Sequence, residues 1–451
     1  MIYVLIAVLL VMLATDFFLN KKSILAPGCI TIEVFLIGSI AAAFCIKQDE
    51  LYTGITIKTV LIILTGILVL CAGEFITNKI IDKNKNASSF EKISNPFNDR
   101  RAEYPAWVLL IVIILLMGIV VIKYRKVCEV TETLGIQMPI LERLAIMRAI
   151  VTSATFNTYG SVIKVCSSFS SAVSWVAAFL FLYNCIKGYF KAKDIGLFVI
   201  IILNIFVCIL STGRDFLIAI LAGYLLMAYA LMLQNSDNKL QISTIFIAIS
   251  IGAFLAFLLL FVIVGRYKEI ELIKYQIFHY VGSPITSLDD YLNRPYVQSQ
   301  YFGEETLYGV YNVLRKLKIY DTPAHVMQLE YPDKYGICYA NIYTSLRRVI
   351  QDYGFAGMYI YQFLCGCLYT VIDRLAISHK KLVLSVIAWG FVGYAIVEQA
   401  IEERLLTVIL GSNTVYVWIV IIGMYLLVRL YNSKKESENE QAENQKTVTF
   451  I

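Results

Sequence analysis

Charge is scarce in this chain. Of 451 residues only 16% are Asp, Glu, Lys or Arg, 59% are hydrophobic, and the mean hydropathy is +0.70. That balance excludes a water-soluble globular protein. Histidine is nearly absent, at three residues. The ten cysteines form no CxxC and no Cys/His ligand spacing, so no metal motif is readable. Residues Cys29, Cys45, Cys71, Cys166, Cys185, Cys208, Cys365 and Cys367 lie within or against apolar runs and read as packing residues. Cys128 and Cys338 are the two expected outside the membrane, where a disulfide between them is conceivable. Proline is also rare, and none of the eight falls in the middle of an apolar run. The net charge of +6 comes from basic residues spread over connections. They form no compact basic face with interleaved aromatics, so nucleic acid is not an expected partner. No internal repeat of fixed period is visible.

What the chain has instead is length without charge. The stretches 105–122, 165–186, 195–213, 216–236, 240–265, 353–372 and 405–428 contain no Asp, Glu, Lys or Arg. Each is long enough to cross a hydrocarbon layer of about 30 Å as a helix. Weaker runs at 2–19, 24–46, 55–76 and 382–397 carry few charges: Asp16 in the first, Glu33 in the second, Lys58 and Glu74 in the third and none in the last. Backbone polar groups in lipid must be satisfied within the segment, so these runs predict an all-α polytopic membrane protein of about eleven spans. The first sixteen residues lack the basic start and cleavage pattern of a secretion signal, and are expected to stay as the first helix.

Basic residues set the orientation. With the N-terminus outside, cytoplasmic stretches collect Lys and Arg, most of all 77–104 with six, whereas the short outer connections hold only Lys47, Lys58, Arg214 and Arg404. The stretch 123–165, with six basic residues on the outer side, departs from this rule. It is expected to hold either a further passage or an interfacial amphipathic helix. The segmentation is then helices and short loops over 1–264, a large outer loop over 265–352, three further helices over 353–431, and a disordered-type cytoplasmic tail over 432–451.

The outer loop is the informative part. It carries thirteen of the thirty tyrosines between 265 and 345. A tyrosine joins a flat apolar face to a polar rim, which suits stacking on sugar rings and also suits a membrane-interface belt. On the same side lie arginines at helix mouths: Arg214 after Ser211-Thr212-Gly213, Arg266 after Gly265, and Arg347 and Arg348 before the run that starts at Tyr353. A guanidinium keeps its charge and offers a fork of donors that matches phosphate oxygens. The alternative for each arginine is snorkelling at a helix end or pairing with a neighbour, as Arg214 with Asp215. Together they point to an anionic, membrane-anchored sugar substrate.

The segment Asn341-Ile342-Tyr343-Thr344, Arg347-Arg348, Asp352-Tyr353-Gly354 and Gly357 resembles the "N-I-Y-T … D-F/Y-G-x-x-G" stretch of bacterial oligosaccharide repeat-unit polymerases, the Wzy-type O-antigen and capsule polymerases. Ser211-Thr212-Gly213-Arg214 is similar to that family's "S/T-G-R" corner. The resemblance is strongest over roughly 200–372. The R-x10-G pattern of some members is absent, since Leu225, Ile277, Met358 and Tyr359 stand eleven residues after the four arginines.

The resemblance implies a GT-C-like membrane glycosyltransferase of the bacterial inner membrane. It would act on the extracytoplasmic face on undecaprenyl-diphosphate-linked oligosaccharides, beside a flippase and a chain-length regulator. It would need no metal, cofactor or nucleotide sugar. The catalytic residues expected are Arg214 and Arg266, stabilising the departing diphosphate, with His279 as general base ahead of Asp290, Glu305 and His325. Substrate binding falls to Arg347, Arg348, Tyr343 and Asn341. Asp289-Asp290 reads as a helix or turn cap rather than a metal pair. Glu398 and Glu402 share a helical face that is either solvated or paired with a site arginine. An O-antigen ligase or a polytopic polysaccharide transporter is the alternative.

Overall fold

The computed structural model describes residues 1–20, 23–48, 54–84, 97, 100–135, 138–153, 159–212, 214–235, 242, 270–320, 329–330, 333–334, 337–338, 342–378 and 383–449. Apart from a two-rung antiparallel pair, β1 (Asp333–Lys334) with β2 (Ile337–Cys338), the regular elements described are helical. Nine of them are long and apolar enough to cross a membrane. They are α1 (Ile2–Leu19), α2 (Pro27–Gln48), α3 (Ile57–Asn84), α4 (Ala106–Glu132), α6 (Gly160–Ile186), α7 (Ile195–Leu210), α8 (Arg214–Asn235), α11 (Ser345–Ser378) and α13 (Ser412–Thr449). The run expected at 382–397 forms α12 (Val383–Val397), a shorter apolar helix, and the run at 240–265 lies outside the described residues. On α4 the large side chains of Trp107, Leu110, Ile114 and Leu115 are exposed, as suits a surface turned to lipid tails.

Chain contacts gather into two compact units. Unit 1 comprises Met1–Ser88, Ser236–Arg374 and Val392–Thr414, and unit 2 comprises Ser89–Asn235, Leu375–Phe391 and Val415–Ile451. Both are discontinuous in sequence. The core of unit 1 joins Leu5 and Leu9 of α1, Ile32 and Phe35 of α2, Ile63 of α3, and Val349 and Met358 of α11. In unit 2 Trp175 meets Tyr224 and Phe391 edge to face, and Phe391 meets Trp418 in the same way.

The stretch 265–352 is more than a loop. It contains α9 (Ile270–Leu292) and α10 (Tyr308–Lys316). Helix α9 packs on α2 so closely that a Cβ on Gly282 would stand 2.5 Å from the Ala42 nitrogen. Small residues permit that approach where lipid-like surroundings give no hydrophobic drive between helices. Ile285 and Leu288 of α9 are fully buried in the unit 1 core. Pro284 sits inside α9. Its mixed hydropathy hid this helix from a search for charge-free runs.

Two further expectations change. The tail continues α13 as helix to Thr449, because its Glu, Lys, Gln and Ala content favours helix and Lys434 reaches Glu438 one turn on. Within 123–165, α5 (Ile140–Ser153) is too short to span. Cys128 is a free thiol, and Cys338's side chain lies outside the described residues.

Candidate functional site

Helix α11 breaks near its start. Gly354 holds φ +67°, a left-handed conformation that a residue with a Cβ adopts only under strain. The turns before it, carrying Arg347 and Arg348, are thereby set apart from the long membrane segment. Asp352 fixes the chain that covers them. Its carboxylate accepts hydrogen bonds from the Ser299 hydroxyl at 2.6 Å, the Glu305 and Thr306 amides at 3.0 and 2.8 Å, and the Thr306 hydroxyl at 2.7 Å. The Asp-Tyr-Gly triplet therefore has a local physical role: an anchor for the outer segment next to a break in the helix.

Around Arg347 and Arg348 seven charged side chains alternate in sign, all within unit 1. Glu330 meets Arg347 Nη2 at 2.5 Å, and Arg347 Nη1 faces Glu305 at 3.3 Å. Glu305 also binds Arg348 Nη1 at 2.6 Å. Arg348 Nη2 then meets Glu402 at 3.1 Å, Glu402 meets Arg404 at 2.9 Å, and Arg404 Nε donates to Glu398 at 2.8 Å. Four carboxylates thus enclose three guanidiniums. Arg347 and Arg348 are 3% and 1% exposed. Burying an ion is costly, and this chain is tolerable because each interior charge has opposite neighbours on both sides.

Aromatic rings complete the surroundings. The Arg347 guanidinium carbon lies 5.0 Å from the ring centre of Tyr291 and 5.6 Å from that of Tyr343. Tyr343 is buried and donates to the Glu330 carbonyl at 3.2 Å. Burial pushes the Tyr291 hydroxyl up to about 12, against the opposing pull of Arg347. Tyr308 is likewise pushed up to about 12 by burial, with Arg348 opposing. Glu403, one residue from the chain, is 1% exposed, and its carboxyl is raised by burial although Tyr361 and the Leu406 and Thr407 amides donate to it.

The cluster is not saturated. Arg347 Nε, the Tyr291 and Ser345 hydroxyls and Thr344 Oγ1 are buried without a hydrogen-bond partner. Such atoms are costly to bury. Glu330 is the most accessible link, its side chain 37% exposed where Glu305 has 9%.

The other expected residues stand elsewhere. His279 lies on α9 with its ring 5.8 Å from that of Tyr275. Twelve residues separate it from Tyr291, about 18 Å along the helix at 1.5 Å per residue, so the structure does not bring it to the arginine chain. Arg214 opens α8, with its side chain outside the described residues. Arg266, Asn341 and His325 also lie outside them. Asp289 is a cap: it accepts from the Thr56 amide and hydroxyl, both at 2.7 Å, and from the Thr59 hydroxyl at 2.5 Å, at the start of α3. The Glu398–Glu402–Arg404 group is paired with a site arginine rather than solvated. Glu305 stood only in reserve in the sequence reading, and Glu330 was missed. A lone Glu between tyrosines, seventeen residues from its partner, carries no spacing signal.

Comparison with family models, with curated proteins and with solved structures gives no match.

Proposed function

We propose that this chain is a membrane glycosyltransferase that joins lipid-diphosphate-linked oligosaccharide repeat units into a surface polysaccharide, working at the outer face of a bacterial inner membrane. The observation that carries the reading is Arg347: a buried guanidinium flanked by two tyrosine rings, whose most accessible partner is one half-exposed glutamate.

A carboxylate and a phosphate oxygen pair engage a guanidinium in the same way. The donor's diphosphate takes the place of Glu330 on Arg347. The acceptor hydroxyl attacks the anomeric carbon, the bond to the diphosphate oxygen breaks, and the electron pair leaves on that oxygen. Fixed guanidinium donors stabilise the growing charge. The acceptor proton passes to a carboxylate, for which the displaced Glu330 is best placed. The segment 296–320 supplies sugar-facing surface: Tyr296, Phe302 and Tyr320 are exposed, and Tyr301, Tyr311 and Tyr320 form a run of adjacent rings.

The test is deletion and complementation. Without the protein, surface polysaccharide should fall to single repeat units, and the wild-type gene should restore the ladder. Long chains surviving the deletion would defeat the proposal. Arg347→Lys keeps the charge but loses the fork, and should shorten the ladder at normal protein level.

A further inference from the structure

Helix α9 carries two buried hydroxyls that depart from the habit of helical serine and threonine. Enclosed in a helix, such a side chain commonly donates to the carbonyl three or four residues back. Thr31 donates in this way to Pro27, Ser39 to Phe35 and Thr370 to Gly366, at 2.9, 2.7 and 2.6 Å. On α9 itself Thr286 donates to the Ser283 carbonyl at 2.9 Å. Ser283 and Ser287 are both 0% exposed, yet neither hydroxyl has a hydrogen-bond partner in the protein. A buried hydroxyl left so is costly, and folded proteins serve it with another protein group or with ordered water.

The backbone between them points to the same ligand. Pro284 sits inside the helix and has no N–H to give to its ladder. Among membrane helices such interruptions are served by hydroxyl side chains and ordered water. Spacing then sets the size of the ligand. Ser283, Ser287 and Tyr291 follow at four-residue steps along one ridge of α9, and each step rises about 6 Å. Two hydrogen bonds of about 2.8 Å in line reach about 5.6 Å, the span of a single bridging water. None of the three side chains carries a charge, and a hydroxyl both donates and accepts, which suits water over an ion. The ridge leads to the arginine chain within unit 1. The Tyr291 hydroxyl is itself buried without a partner, its ring lies 5.0 Å from the Arg347 guanidinium carbon, and Arg347 Nε is likewise unserved.

We propose that ordered water lies along this ridge from Ser283 to Tyr291 and bonds Arg347 Nε, holding the guanidinium with its Nη2 edge turned to the place of Glu330. Ser283 and Ser287 are then positioning residues, acting on the arginine through the water between. The proposal rests on the polymerase reading only for the anion that replaces Glu330.

The experiment uses the full chain in phosphatidylcholine nanodiscs. Millisecond X-ray pulses make hydroxyl radicals from bound water, and mass spectrometry locates the oxidised side chains. Corrected for intrinsic reactivity, Pro284 should be oxidised faster than Phe35, which is 1% exposed in the same unit. Ser287→Val, which removes the hydroxyl and fills its place, should abolish that excess, and Ser287→Thr should keep it. Should Ser287→Val fail to fold, the pair Ser283→Ala and Ser287→Ala decides: its thermal midpoint should fall as the water loses its partners. Oxidation of Pro284 no faster than of Phe35, or a midpoint raised by the two alanines as expected of hydroxyls in a dry core, overturns the water. Farnesyl diphosphate, followed by calorimetry, should bind Ser287→Val about tenfold more weakly than wild type, the worth of about one hydrogen bond, and Ser287→Thr as wild type does. Equal affinity in Ser287→Val overturns the positioning of Arg347. No binding by wild type overturns the polymerase reading, while the oxidation of Pro284 still decides the water.

Discussion

Arg348 and Lys123 are both cations buried almost completely, yet one is enclosed by carboxylates and the other by neutral atoms. The contrast separates two uses of buried charge. An alternating chain is a mutual support, in which every member depends on its neighbours. A buried ammonium held by a carbonyl and a hydroxyl contributes nothing comparable to the resting fold.

The widest gap between the two should appear in stability. Arg348→Ala takes from Glu305 and Glu402 one of the two cations each of them meets, and should cost about 3–5 kcal/mol. Thermal unfolding in detergent reads this as a large fall in midpoint, whereas Lys123→Met should leave the midpoint unchanged or raised. Equal losses at the two positions would erase the contrast. A smaller effect is expected at the break that presents Arg348. Gly354→Ala puts a Cβ at φ +67° and should cost about 1–2 kcal/mol. If Gly354→Ala matches wild type, the break is not held at that angle.

A finer distinction comes from pH. Burial raises the Glu403 carboxyl beside the chain, so the folded form binds its proton where the unfolded form has released it. Its stabilisation is complete below the unfolded value of 4.5 and declines as pH rises through the raised value, with a slope of at most about 1.4 kcal/mol per pH unit. Glu403→Gln should flatten that slope, and an unaltered profile would assign it to another group. The weakest effect is that of salt. The buried chain should ignore ionic strength, while the exposed Lys434–Glu438 pair should matter by no more than about 0.5 kcal/mol.

Much of this architecture is readable from residue order. Charge-free runs give the spans, whereas Asp289, expected to cap a local turn or helix, accepts at the start of α3 from Thr56 and Thr59 far back in the sequence. The pairing of Glu402 with an arginine was one of two open readings, because a shared helical face states proximity but not partner. Other features are invisible to periodicity. Lys123 reads as a topological charge at the end of an apolar run. That its nearest groups are a carbonyl, a hydroxyl and a ring depends on how α4 meets α7, which no local pattern encodes. Arg347 and Arg348 read in sequence either as substrate-binding arginines or as locally paired ones, and the carboxylates they meet are distant in sequence. Helix α9 was absorbed into a loop because its polar residues hide a buried face.

The cap on α3 has a consequence for biogenesis. Thr56 receives its carboxylate from a residue 233 positions later. At roughly 5–20 residues per second, the ribosome needs about ten to fifty seconds to make up that distance. Through that interval the Thr56 amide and hydroxyl and the Thr59 hydroxyl, at the start of α3, lack this carboxylate. The early helices should therefore dwell beside the insertion machinery as a loosely ended bundle, and a nascent chain stalled before residue 289 should be an unusually good target for membrane quality-control proteases.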